Sequence, residues 1–434
     1  MRNAGWYVIA VVGAGALLGH ISVARSSDGP GVTMSPVPSE SKIRDLDIDF
    51  YQSRVKRDPR SAGDYAQLAA LYLQRARETA DNEDLVRAEQ NARRSLDLRR
   101  GRNAGAFGIL ATSLLAQHRF TEALDVAKRL VVLDSISTAA RALLGETQLE
   151  LGFYPEAGRT LGTLATYSSD LSVAPRLARW HELHGRPEQA RRLLRLARAE
   201  ARGRHGMPRE QLAWFHLRLG DLALRYGHLS EAERELRDGL RVSPNDYRLL
   251  GTMARLEAVS HRWTRAIGYG EQAIAFALDP ITLGVVGDAY AAAGDSVKAE
   301  EYYHTMEVAV LHQPGPFHRA WSLFLLDHGR DVPRVLAKVS EEIRTRRDIY
   351  GYDLLAWALH QSGRDREARA AMTHALALGT RDAMLFYHAG MIERALGDNA
   401  AARRHLRAAL EANPYWHPLQ PAQARVLLDS LETR

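Results

Sequence analysis

The 434-residue sequence contains no cysteine, which excludes both disulfides and thiolate metal sites and leaves the redox compartment open. Aromatic residues amount to 7%, in keeping with helices that meet through small side chains rather than through rings. No stretch shows the strict apolar–polar alternation of a strand, so an appended sheet-based catalytic domain has nowhere to sit. A dominant charge sign is missing too. Lys and Arg total 58 against 52 Asp and Glu, and a net +6 spread over mixed sequence does not imply nucleic acid. Beyond residue 24 there is no long hydrophobic run.

The exception is the N-terminus. Ala4 to Ile21 is almost unbroken apolar sequence behind one charge, Arg2, and Ser22 and Ala24 set small residues shortly before Arg25. The pattern fits a cleaved signal peptide, and the stretch is also just long enough to cross a bilayer. Residues 1–24 are therefore expected to be a signal peptide or an N-terminal membrane anchor, with residues 4–21 as a possible tether. Either places the rest of the chain outside the cytoplasm, periplasmic or anchored in the inner membrane facing the periplasm. Residues 25–40, rich in Ser, Gly and Pro, read as a flexible linker. Residues 41–60 read as a helical half-unit that caps the start of a stack.

From residue 61 onward the dominant feature is a period of about 34 residues. It is clearest from Ile349 to Trp416, where two units lie head to tail. Tyr352 recurs as Phe386, Leu355 as Ala389, Ala356 as Gly390, Gly363 as Gly397, Ala368 as Ala402, Met372 as Leu406 and Leu376 as Leu410. Each unit divides at its glycine into two helical patterns, and small residues fall where neighbouring helices must cross closely. Earlier units repeat this through Gly145, Gly152 and Ala157, and through Gly220, Gly227 and Ala232.

These residues resemble the tetratricopeptide repeat family. The resemblance spans nearly everything after residue 60 and implies an all-α fold, an α-solenoid of about ten tandem helical hairpins forming a right-handed superhelix. The array divides into residues 61–204 and 205–416 at Gly203–Arg209, where a broken register predicts a hinge. Residues 417–434, opened by Pro418 and Pro421, read as a C-terminal capping helix.

In that family a second stripe on the first helix of each unit lines a concave groove that holds peptides. In the unit at Ile349 this stripe is Tyr350, Asp353, Trp357 and His360, beside a packing stripe of Tyr352, Leu355, Ala356 and Leu359. Carried over to neighbouring units it adds Asp288, Arg319, Tyr387, Met391 and Arg394. Aromatics flanked by both charge signs suit an extended or helical peptide, whereas packing between units is the competing role for Trp357 and Met391. The family's Lys/Asn/Arg clamp for a chain terminus is not matched, because the corresponding positions hold Gly105, Gly108 and Thr112.

Other motifs dissolve on inspection. His181-Glu182-Leu183-His184 spaces its histidines three apart, where a zinc helix needs four. Asp45-Leu46-Asp47-Ile48-Asp49 lacks the later glycine and glutamate of a calcium loop, those places holding Phe50 and Lys56. Arg191, Arg195, Arg198 and Arg202 share one helix face, to be read as a solvated outer face or as a surface for an anionic partner. No metal, cofactor or nucleic-acid site is expected. The reading is a non-enzymatic scaffold of the bacterial cell envelope that binds one or more proteins through a peptide or helical segment. The alternative is a glycan-binding or accessory subunit of a polysaccharide synthesis or export system.

Overall fold

The computed structural model describes residues 39–311 and 319–432. The leader and nearly all of the linker expected at 25–40 lie outside the described residues. Among those described there are 22 α-helices and no strand, and none of the helices is long and apolar enough to cross a membrane.

Helix α1 (Glu40–Arg57) stands alone, followed by ten hairpins. They are α2 (Ala62–Thr79) with α3 (Asn82–Leu98), α4 (Ala104–Ala116) with α5 (Phe120–Leu133), and α6 (Thr138–Glu150) with α7 (Tyr154–Gly162). Next come α8 (Ala174–Leu183) with α9 (Pro187–Gly203), α10 (Arg209–Arg225) with α11 (Leu229–Val242), and α12 (Tyr247–Val259) with α13 (Trp263–Ile274). The series ends with α14 (Pro280–Ala292) and α15 (Ser296–Leu311), α16 (Arg319–Asp327) and α17 (Val332–Glu342), α18 (Ile349–Gln361) and α19 (Asp365–Ala375), and α20 (Ala383–Ala395) and α21 (Asn399–Ala412). A single helix, α22 (Gln420–Glu432), closes the stack.

The two helices of a hairpin start differently. Many first helices are opened by an oxygen-bearing cap: Ser61, Ser137, Asp246, Asp279, Asp348 and Asp382 each accept a hydrogen bond from a first-turn backbone N–H. Many second helices follow a tight turn instead, with a glycine such as Gly363 (φ +70°) or Gly397 (φ +79°) in the left-handed region. Within a hairpin one small residue recurs at the crossing. A Cβ on Gly145 would lie 2.6 Å from Leu161, on Gly220 2.8 Å from Leu236, and on Gly390 2.8 Å from Leu406. The small residues that mark the period in the sequence are thus the points where helices touch.

The apolar core runs the length of the stack. Ile48 of α1 packs with Leu68 and Tyr72, and at the other end Ala424 and Leu431 of α22 cover Ala402 and Leu406. The expected hinge at Gly203–Arg209 does not interrupt it. Ala197 and Ala201 of α9 pack with Phe215 of α10.

The stack also coils onto itself. The turn inside the third hairpin meets the connection between the eighth and ninth, where Arg347 N–H donates to Leu151 O (3.1 Å) and Ile349 N–H to the Tyr154 hydroxyl (2.8 Å). The turn inside the fourth hairpin meets the connection between the ninth and tenth, the Thr380 hydroxyl donating to Leu183 O. The turn inside the fifth meets Asn413, whose side-chain amide donates to Leu224 O and Arg225 O (both 3.1 Å). One superhelical turn therefore takes five to six hairpins, and its edge rides on the edge of the next.

Candidate functional site: the inner face of the coil

First helices form the inner face, and the residue after each crossing-point residue occupies one recurring place on it. These residues are Arg179 after Ala178, Asp221 after Gly220, Arg255 after Ala254, Asp288 after Gly287, Trp357 after Ala356 and Met391 after Gly390. Contacts between consecutive first helices confirm a shared surface. Arg255 reaches Asp221 (3.2 Å), and Arg319 reaches Asp353 (3.3 Å).

The expected groove residues separate into two groups. Trp357 and Tyr387 are 4% and 3% exposed and fill space between hairpins. The Trp357 ring stacks on His388 (centroids 4.1 Å apart, 12° between planes), and its Nε1–H donates to Asp327 (2.9 Å). Tyr387 donates its hydroxyl to Gln423 of α22 (3.0 Å), and burial pushes its pKa up to about 12. Asp353 is fully buried between Arg319 and His388 Nδ1 (2.7 Å), and Met391 packs against the same core.

The other residues keep partial access. Asp288 accepts from the Tyr303 hydroxyl (2.8 Å) and pairs with His328 (3.1 Å). His360 pairs with Asp365 (2.6 Å), and Arg394 is half-buried. Tyr350 holds the Arg319 guanidinium 5.0 Å from its ring centre. From the preceding superhelical turn, Arg179 approaches the same ring to 5.3 Å.

That last contact leads to a cluster that carrying the groove forward only from Asp288 misses. Glu182, 2% exposed, accepts from Arg225 (2.6 Å) and Arg179 (3.0 Å), with Arg218 at 3.9 Å. Asp221 accepts from Arg225 (2.5 Å) and Arg255 (3.2 Å), with Arg218 at 3.4 Å. Burial opposes ionisation of both acids, yet the surrounding guanidinia hold both carboxyls below the usual carboxylate range. Burial pushes the Arg218 guanidinium down from its ordinary value, against the charges of Asp221 and Glu182. The repeat register that yields Asp288 and Trp357 leads to Arg179, Asp221 and Arg255 when extended towards the N-terminus.

The arginine stripe of α9 is neither a bare solvated face nor an open anionic-partner surface. Arg195 pairs with Glu231 (2.6 Å), Arg198 pairs with Glu235, and Arg202 reaches His216 Nε2 (3.0 Å). These contacts join the fourth hairpin to the fifth. His184 is equally structural, its ring tilted over Trp180 and its Nδ1 2.8 Å from Trp180 O.

Stacked hairpins and small crossing residues define an all-α solenoid. The family model described as tetratricopeptide repeat matches residues 385–415, which is α20 and α21 with the connection that follows. The same turn and crossing positions recur through the preceding hairpins, so the whole array is similar in build to the unit that the tetratricopeptide repeat model matches.

No curated protein matches the chain. Among solved structures it is similar to a chain of the APC/C hetero-tetramer Cut9–Hcn1, at 13% identity over 90% of this chain and 93% of that one, TM-score 0.35. It is also similar to a tetratricopeptide repeat protein from Parabacteroides merdae (14% identity, 64% and 98% covered, TM-score 0.36). Yeast Tom70 is a third (12% identity, 91% and 93% covered, TM-score 0.33).

Proposed function

We propose that the protein is a non-enzymatic scaffold of the bacterial cell envelope, exported or tethered through residues 4–21, that holds a partner's peptide segment on its inner face. The observation that carries this is the partly exposed row Asp288, Arg319 and Tyr350 on first helices of successive hairpins. Trp357 and Tyr387 fill the space between these hairpins and the next. A row that offers a carboxylate, a guanidinium and a phenol at hairpin spacing suits a chain that crosses several helices. The leader supplies the location.

The test is photo-crosslinking in whole cells from position 350 of the full-length chain, with an outer-face position such as Arg237 as control. A protein partner captured at 350, and lost in the double variant Arg319→Ala/Asp288→Ala, supports the reading. Capture only at the outer face, or capture at 350 unaffected by the double variant, removes the inner face as the binding site. Retention on purified polysaccharide with no protein captured would make a glycan the ligand class. Fractionation with N-terminal sequencing of the mature chain tests the location.

A further inference from the structure

Each hairpin has two edges, one made by its own turn and one by the connections to its neighbours. The turn edge of the first five hairpins carries the following superhelical turn, from Arg77 against Glu210 (3.8 Å) in the first to the Asn413 contacts in the fifth. The opposite edge of the same hairpins faces away from the rest of the coil. Four connections with their flanking helix ends build it, residues 54–65, 94–105, 128–141 and 160–175. They adjoin one another: Arg94 donates to Pro59 O (3.4 Å), Ala104 and Phe107 pack with Leu130, and the Thr138 hydroxyl donates to Asp170 (3.3 Å).

This rim gathers charge and apolar surface together. Its four stretches hold eleven Lys and Arg against five Asp and no Glu, an excess as large as that of the whole chain, +6. Among the described residues, Arg54 with Asp64 (3.0 Å) is the one ion pair these cations make, and Lys56, Arg57, Arg60, Arg99 and Arg100 stand exposed. The turns of the sixth to tenth hairpins have no further superhelical turn to carry and form the other end. Over residues 258–265, 292–299, 327–334, 361–368 and 395–402 they hold seven Lys and Arg against six Asp and Glu. On the basic rim, Val132 and Ile136 are the two most exposed large apolar side chains of the described residues, at 85% and 78%. Leu133 lies beside them, and Tyr167 is exposed on the next connection.

We propose that this rim is a membrane-docking surface that lies on an anionic phospholipid bilayer, its cations among the lipid phosphates and Val132 and Ile136 at the acyl boundary. It is a second surface, separate from the inner face and independent of what that face holds. The cations are spread over successive outward connections rather than along a groove, so they meet a broad surface better than a single chain. Nucleic acid or an acidic polypeptide would leave Val132 and Ile136 in water, whereas the acyl boundary takes them up with a gain set by the apolar area buried. Tyrosine suits the same interface. Eighteen residues lie between Ile21 and Glu40 and can span up to about 60 Å, whereas α1 needs about 27 Å to reach the rim. A tether through residues 4–21 therefore allows the rim to face the membrane.

The chain has no cysteine, so single Ile136→Cys and Val297→Cys variants of the full-length protein each accept one environment-sensitive fluorophore. Val297 is exposed at the start of α15, at the other end of the coil. Each is mixed with vesicles of phosphatidylcholine and phosphatidylglycerol in equal parts, and with vesicles of phosphatidylcholine alone. A tether would bring the chain to both kinds, so the difference between them reads the rim. On the anionic vesicles alone, the label at 136 is expected to shift to the blue and to be shielded from an aqueous quencher, while the label at 297 stays in water. Adding Arg57→Gln/Arg99→Gln/Arg100→Gln should raise the anionic-lipid concentration at half-shift roughly tenfold or more, and salt should raise it too. Val132→Asp should abolish the shielding in a chain that remains helical by circular dichroism.

Equal shifts on the two kinds of vesicle, shielding at 297 as well as at 136, or an unchanged half-shift in the triple variant overturns the proposal. So does binding of polyglutamate or of an oligonucleotide with the label at 136 unmoved by anionic vesicles, which would assign the cations to another polyanion. Whole-cell capture at position 350 enters none of these readouts, so the rim and the inner-face reading fail separately.

Discussion

The side chain of Asn413 caps a helix that ended almost two hundred residues earlier. Its amide nitrogen donates to the carbonyls of Leu224 and Arg225, the last two residues of α10, while its Oδ1 accepts from the Tyr415 N–H (2.8 Å). Terminal carbonyls of a helix have no partner within it, so this residue ties the fifth hairpin to the tenth. Asn413→Ala would leave the Leu224 carbonyl with the Gly227 N–H alone and take this donor from the part-buried Arg225 carbonyl, at about 1 kcal/mol. Hydrogen exchange should show protection lost at residues 224–228 and 413–416 together, with the hairpins between unchanged.

Two glycines separate backbone strain from contact between superhelical turns. Gly185 and Gly363 both adopt positive φ (+67° and +70°), so alanine at either should cost about 1–2 kcal/mol. A Cβ at Gly363 meets open space, whereas at Gly185 it would sit 2.4 Å from Gly379 O in the next turn. Gly185→Ala should therefore destabilise by a further 1–3 kcal/mol, roughly the cost of overpacking. Small-angle scattering should show a longer particle for Gly185→Ala and an unchanged one for Gly363→Ala. Equal profiles would mean that the edge contacts do not hold the coil closed.

These residues also show what a sequence can reveal in such a fold. Ala356, Gly390 and Ala402 mark the hairpins because the crossing of adjacent helices is a local demand, repeated with the period. The edge contacts between turns join residues 188–197 positions apart through one asparagine, one threonine, one tyrosine and a few backbone groups. No pattern within a unit specifies them, and the hinge expected at Gly203–Arg209 arose from local register where α9 and α10 remain packed. On the inner face Asp288, Trp357 and Met391 each follow a small crossing residue, Gly287, Ala356 and Gly390. Whether an equivalent side chain is buried or presented depends on its neighbours, and the stacking of Trp357 on His388 is a property of the pair.

The Asp288–His328 pair gives the C-terminal half a pH signature. Burial opposes protonation of His328, but its bond to Asp288 and that carboxylate's charge prevail and raise its pKa above the ordinary value. Tyr303 donates to the same carboxylate and Phe324 packs against the imidazole, with Asp327 nearby adding to the raise. A histidine raised in the folded state contributes stability that is complete below its unfolded pKa of about 6.5, and that is lost as pH rises through the folded value. Asp288→Asn removes that contribution. The difference in unfolding free energy between wild type and variant should therefore be largest at pH 5–6 and shrink above about pH 7. A difference independent of pH would show that His328 is not charged in the fold.

Trp357 offers the sharpest separation of packing from binding. Its ring is sandwiched into the core, and its Nε1–H is matched by Asp327, so truncation to alanine should cost about 3–5 kcal/mol. A loss of partner capture in that variant would say nothing about contact. Trp357→Phe keeps an aromatic ring against His388 and gives up the hydrogen bond and part of the volume, at about 1–2 kcal/mol. Arg319→Ala, in contrast, removes an accessible guanidinium from the Tyr350 ring and from Asp353. If the inner face binds through its presented groups, Trp357→Phe should lower the thermal midpoint while capture per folded molecule stays at the wild-type level. Arg319→Ala should lower capture even at temperatures where it is fully folded. The opposite ranking would place the tryptophan in the contact and the arginine in the scaffold.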